Sequence, residues 1–96
     1  MTTTVRSVLG ALQAAARQDT ATYGLEICRT TSLGAGTVYP ILRRLERIGW
    51  VRAYWEEDAL DARGPRRRMY ELTGIGRAGM AEAQHTGQVR QMGWST

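Results

Sequence analysis

The chemistry of this chain is carried by arginine. All thirteen basic residues are Arg and none is Lys; a guanidinium suits bidentate contact with phosphate oxygens or with guanine, and a coding bias toward Arg, Ala and Gly is the alternative source of this composition. The positive charge is not spread evenly. Residues 29–52 hold five Arg against one Glu, a net +4, and residues 63–68 hold Arg63, Arg66, Arg67 and Arg68, another +4. Between them Glu56, Glu57, Asp58 and Asp61 supply −4, and the remaining segments balance at zero. Two separated basic pieces predict two contacts with a polyanion. Nucleophilic catalysis is not predicted: the single His85 and the single Cys28 stand far apart with no orienting group implied. No glycine loop sits in a strand-to-helix context, no metal-ligand spacing occurs, and no cofactor is expected.

The first basic piece is also the most strongly patterned. From Gly36 to Val51, the residues Val38, Ile41, Leu42, Leu45 and Ile48 recur at the spacing of one buried helix face. The far side of that helix, 36–48, holds Tyr39, Pro40, Arg43, Glu46 and Arg47, with Arg44 on its flank. On this surface Arg43 is placed to read a base, against the alternative of a solvated side chain or a pair with Glu46 or Glu26, and Arg47 to meet a phosphate. Arg44 suits a phosphate or a salt bridge within the domain. Tyr39 is expected to face outward and span sugar and phosphate, against the alternative of a place in the core. Thr37 suits either a phosphate at the helix N-terminus or a plain cap. Gly36 and Pro40 offer no side-chain hydrogen bond, although Pro40 can touch a thymine methyl. A large share of any sequence preference is then expected from DNA shape.

These side chains need elements to hold them. Val5, Val8, Leu9, Leu12, Ala15 and Ala16 predict a first helix over about 4–18. A polar break at Asp19–Thr22 precedes a short second helix, with Tyr23 and Ile27 inward and Leu25 and Cys28 as further candidates, ending near Thr30–Thr31. Leu33 is the expected apolar plug of the turn, and Ser32 or Gly34 the cap of the third helix. Pro40 inside that helix predicts a bend or a short 3₁₀ start. After the Gly49 stop, Trp50–Glu56 and Arg67–Thr73 read as the strands of a hairpin whose tip, 57–65, ends in Gly64–Pro65. Arg63, Arg66 and Arg67 near that tip are the second set of DNA candidates, against the alternative of pairing with Glu56, Glu57 and Asp58. Arg68 is expected to lean over the sheet edge, and Trp50 and Trp55 to pack in the hairpin and against the helices. Thr73 can cap a last helix carrying Ile75, Ala78, Met80, Ala81, Ala83, Val89 and Met92, weakened by Gly74, Gly76, Gly79, Gly87 and Gly93. The fold class is α+β, mostly α: a winged helix-turn-helix of three helices and a β-hairpin wing over 1–73, with a C-terminal helix and tail over 74–96 that needs tertiary or intersubunit packing to persist.

Size and composition are consistent with this reading. Ninety-six residues make one small domain, of the kind that gains stability by pairing with a copy of itself. No apolar run is long enough to cross a membrane and no secretory leader is visible. With one cysteine there is no disulfide framework, so a cytoplasmic location is expected. Cys28 reads as a small core hydrophobe and His85 as a solvated histidine.

Tyr23-Gly24-Leu25-Glu26-Ile27, the Gly36–Val51 block, Trp55-Glu56 and Gly64-Pro65-Arg66-Arg67-Arg68-Met69-Tyr70-Glu71-Leu72-Thr73 with Gly76 form an ordered set. Together they resemble the PadR-type transcriptional regulators over roughly residues 5 to 80. The resemblance is to the short type with a single C-terminal helix, and the second helix is trimmed. It implies a homodimeric repressor on double-stranded DNA, with the third helix in the major groove and the wing on the backbone or minor groove. It also implies dimerisation of the last helix against the partner's first helix, which points to Val5, Leu9, Leu12, Met80, Ala83, Val89 and Met92. Any small-molecule effector is left unspecified, because Gln84-His85-Thr86 and Gly87 supply no aromatic cage. The competing function is a winged helix that binds an acidic protein partner.

Overall fold

The computed structural model describes residues 2–56 and 66–83. Its elements run α1 (Thr3–Arg17), β1 (Thr22–Tyr23), α2 (Gly24–Thr31), α3 (Ala35–Arg47), β2 (Val51–Trp55) and β3 (Arg68–Leu72), followed by α4, helical over 74–83. Among the described residues, four helices and a small three-stranded antiparallel sheet give the α+β, mostly helical winged architecture expected from the sequence.

Each helix has a local cause. Thr2 caps α1, its hydroxyl accepting from the Val5 amide at 3.3 Å. At the end of α2 the Thr31 hydroxyl donates to the Ile27 carbonyl at 2.7 Å and accepts from the Leu33 amide at 3.3 Å. Ser32 then turns left-handed at φ 60°, so it closes α2 rather than opening α3. Gly34 occupies the N-cap of α3 with no side-chain bond to offer. The Gly34 carbonyl accepts from both Thr37 and Val38 at 3.0 Å. The first of those is a 3₁₀-type bond, so α3 starts tight before Pro40, as its position in the sequence predicts. Gly49, at φ +81°, ends the run.

The core is a single cluster in which α1 gives Val8, Leu9 and Leu12, α2 gives Ile27, and α3 gives Val38, Leu42 and Leu45. Val51, Tyr70, Leu72 and Met80 close it from the sheet and α4. Complete burial of such aliphatic side chains stabilises the fold by about 1.5–3 kcal/mol each. Leu33, Cys28 and Ile41 pack against this cluster while only half-buried. Ile48 departs from expectation: it lies just past the last turn of α3 and is 53% exposed. Leu25 is also turned outward.

The sheet has the order β1-β3-β2, so the second hairpin strand is central. Tyr23, expected on the second helix, instead pairs with Met69 in β1, and Thr22 pairs with Tyr70. In the hairpin, Val51 faces Leu72, Arg52 faces Glu71, Ala53 faces Tyr70, Tyr54 faces Met69 and Trp55 faces Arg68.

The glycines of α4 have a packing reason that periodicity alone does not reveal. A β-carbon on Gly76 would lie 2.2 Å from the Trp50 carbonyl oxygen, and one on Gly79 would lie 2.3 Å from the Trp50 ring. Spaced three residues apart, the two glycines share a helix face and let α4 close over Trp50. Thr73 begins the helix: its hydroxyl accepts from the Gly76 amide at 3.0 Å and donates to the Gly49 carbonyl at 2.6 Å. The Thr73 amide also donates to the Trp50 carbonyl at 3.0 Å. The exit of α3 and the start of α4 are thereby joined.

Three residues expected at a dimer contact are spent inside one chain. Leu9 and Leu12 are each 1% exposed and Met80 is 7% exposed, because the apolar stripe of α1 is needed to cover α2, α3 and the sheet. Val5 and Ala83 are half-buried. Val89, Met92, His85, Trp94 and the wing tip with Arg63 lie outside the described residues.

Candidate nucleic-acid interface

With Val38, Leu42 and Leu45 turned into the core, the other side of α3 is fixed toward solvent. Thr37, Pro40, Arg43, Arg44 and Arg47 are all exposed there, at the spacing of adjacent helical turns. Among the described residues none of these three arginines makes an ion pair. Glu46, the acid among them, points elsewhere: its Oε1 lies 3.4 Å from Arg68 Nη2 on the wing. The arginine face of α3 is left without that local counter-charge.

Tyr39 does not stand outward as its helical angle suggests. It is half-buried and packs against the core, with its ring over Gly24 at the start of α2. A β-carbon at Gly24 would come within 2.4 Å of the Tyr39 Cζ and Oη atoms. The side chain folds back along the helix because α2 offers a glycine there. Gly24 and Tyr39 therefore form one packing unit where α3 rests on α2.

The wing side chains are held by aromatic rings. Arg67 is exposed, with its guanidinium 4.6 Å from the centroid of the Tyr23 ring. Such a stack contributes about 0.5–1 kcal/mol at an exposed site and leaves the cation's edge available. Arg52 lies 4.7 Å above Tyr54, and its Nε donates to Glu71 Oε1 at 2.7 Å. Its charge is thus partly balanced across the strands. Arg66 is exposed beside Arg67. Arg68 is tied to Glu46 and also stacks at 5.1 Å on Trp55, so it bridges α3 and the hairpin instead of leaning over the sheet edge.

Behind that bridge, Tyr70 is buried, and burial pushes its hydroxyl above the ordinary value of 10.0 while the nearby Arg68 opposes the rise. Tyr39 and Glu46 add to it, which places Tyr39, Glu46, Arg68 and Tyr70 in one neighbourhood. This junction has no signature in consecutive residues. The hairpin joins β2 to β3 through a long connection, and such a connection does not fix register. Trp55 departs from expectation for the same reason: it is 56% exposed, beyond the edge of the core that Val51 and Ala53 reach. Among the described residues no group of three or more His, Cys, Asp or Glu could hold a metal, and no helix is long and apolar enough to cross a membrane.

The comparisons with known proteins agree with this geometry. The model of the transcriptional regulator PadR-like family matches residues 12–82. No curated protein matches the chain. Among solved structures, smu.1704 from Streptococcus mutans UA159 is 26% identical with a TM-score of 0.70, over 94% of this chain and 83% of that one. A PadR family regulator from Eggerthella lenta DSM 2243 is 22% identical with a TM-score of 0.69, covering 95% of this chain and 81% of that one. Another, from Clostridium difficile R20291, is 21% identical with a TM-score of 0.62, over 93% and 95% of the two chains.

Proposed function

The chain belongs to the transcriptional regulator PadR-like family, a family of DNA-binding regulators, and we propose that it acts as a homodimeric repressor on an inverted-repeat operator. The observation that carries this reading is the solvent face of α3. Thr37, Pro40, Arg43, Arg44 and Arg47 are exposed on it, while Val38, Leu42 and Leu45 fix its orientation from behind. Arg43 meets a base edge, Arg44 and Arg47 meet phosphates, and Thr37 sits beside the backbone at the helix start. Arg66 and Arg67 on the wing, with Arg63 at its tip, neutralise further phosphates. Tyr39 acts from inside, by seating α3 on α2.

Pairing is supported by the surface that remains on α1 and α4. A cleft of about 360 Å³ between them is lined by Ala16 and Ala81 above the buried Leu72 and Met80, with Gln13, Arg17 and Arg77 around it. Ile75, 66% exposed, lies on the first turn of α4. In this reading the last helix of a second copy covers that surface, which replaces Leu9 and Leu12 as the contact. Two recognition helices then meet half-sites about one helical turn apart, and the bound dimer blocks transcription.

Selection of duplexes from a random-sequence pool tests the reading directly. The expected product is an inverted repeat. Neutralising on the order of 6–10 phosphates, the dimer should lose about 10³–10⁵ in affinity between 50 and 200 mM salt. Recovery of no preferred duplex, with tight binding to an acidic protein instead, would favour the protein-interaction module.

A further inference from the structure

Trp55 ends β2 with its large apolar side chain 56% exposed, and yet the ring is held. Arg68, directly opposite it in the hairpin, lies 5.1 Å from the ring centroid. The same guanidinium reaches Glu46 Oε1 of α3 at 3.4 Å. One cation thus spans the recognition helix and the wing, with the indole as its far support. Strand alternation puts Trp55 on the sheet face of Val51 and Ala53, which is the face that packs on the helices. Trp55 continues that face past the edge of the domain into the angle between α3 and the hairpin.

We propose that Trp55 is a DNA-contacting residue, its ring lying against a deoxyribose of the strand that borders the groove entered by α3, and that Arg68 is its positioning residue. The inference rests on the reading that α3 and the wing bind duplex DNA. A deoxyribose is the apolar surface between two phosphates, and a flat indole with one N–H donor matches it: the ring covers the sugar and the N–H meets a phosphate oxygen. Arg66 and Arg67, just before β3, supply the charge that the indole lacks. A sugar contact carries no base information, so this residue adds affinity to every sequence alike.

The experiment uses the full chain and the duplex that the wild-type protein selects from a random pool, with a scrambled duplex beside it. Trp55→Ala should weaken both by about tenfold, leave the salt slope unchanged because no charge is lost, and leave the melting temperature unaltered. Trp55→Phe should keep most of the affinity. Emission of the wild type minus that of Trp55→Phe isolates this indole, and it should change on adding the duplex. Arg68→Gln should abolish that change and lower affinity without flattening the salt slope by a full phosphate. Wild-type affinity in Trp55→Ala, or an isolated Trp55 emission indifferent to DNA, overturns the proposal and leaves the regulator reading intact. Failure of the wild type to select any duplex overturns both. Should Trp55→Ala fail to fold, the emission difference decides.

Discussion

The ring of Tyr39 fills the space that a β-carbon on Gly24 would need, 2.4 Å from its Cζ and Oη atoms. Gly24→Ala must therefore push the phenol away from α2 and tilt α3 with it. We expect a loss of about 1–3 kcal/mol, the cost of overpacking, read as a lower urea midpoint at unchanged m. Combining it with Tyr39→Leu, which leaves room at that spot, should recover part of the loss. An unaltered midpoint in Gly24→Ala would contradict the packing.

Gly76 and Gly10 should respond to alanine in opposite directions. At Gly76 the new atom meets the Trp50 backbone, which has no side-chain rotamer to give way, so unfolding should become easier by more than 2 kcal/mol. At Gly10, inside α1, nothing lies within 4 Å, and the alanine should stabilise the helix by about 0.5–1 kcal/mol. Thermal melts of the two variants check both signs.

Arg43→Ala should leave the melting temperature in place, since the side chain is exposed and makes no ion pair among the described residues. Its duplex affinity should fall by about 1–3 kcal/mol with relaxed preference at one position per half-site. Titration of the selected duplex and its single-base variants tests this, and unchanged affinity with unchanged preference removes Arg43 from base reading.

Arg67→Ala should behave differently. It should weaken selected and scrambled duplexes equally and lower the salt slope by about 0.9 for each phosphate lost. Binding measured across 50–200 mM salt distinguishes the two arginines.

Tyr70 gives the fold an alkaline limit. Its hydroxyl is raised above 10.0 by burial, so the neutral form is favoured in the folded chain. Stability from this group is complete below the unfolded value and lost as pH rises through the folded one. Melts between pH 9 and 11.5 should fall less steeply for Tyr70→Phe than for the wild type.

How far the sequence could be read follows from how local each signal is. The α3 block needs only its own spacing, so Val38, Leu42 and Leu45 fall inward and Arg43 and Arg47 outward as periodicity requires. Thr73 as a cap is equally local. A helical wheel turns Tyr39 outward because the wheel does not contain Gly24, fifteen residues earlier and across a helix contact. An amphipathic stripe does not say whose core it fills, so Leu9, Leu12 and Met80 suit a partner's helix as well as their own chain until the fold is known. Trp55, Arg68 and Glu46 meet through strand register and a helix–wing contact, neither of which is written in consecutive residues. β1 is too short for any alternation to show.

The slot for Trp50 has a mechanical consequence. Trp50 follows α3 after a two-residue turn, and its ring and carbonyl are seated on Gly79 and Gly76 of α4. A flexible aliphatic contact would let the two helices slide independently, but a rigid bicyclic wedge against bare backbone transmits rotation. Any torque that reorients α4 therefore arrives at the C-terminal end of α3 with little slack. The placement of α4 and the placement of the arginine face are therefore set at one joint, and a change in how Trp50 seats would be felt at both.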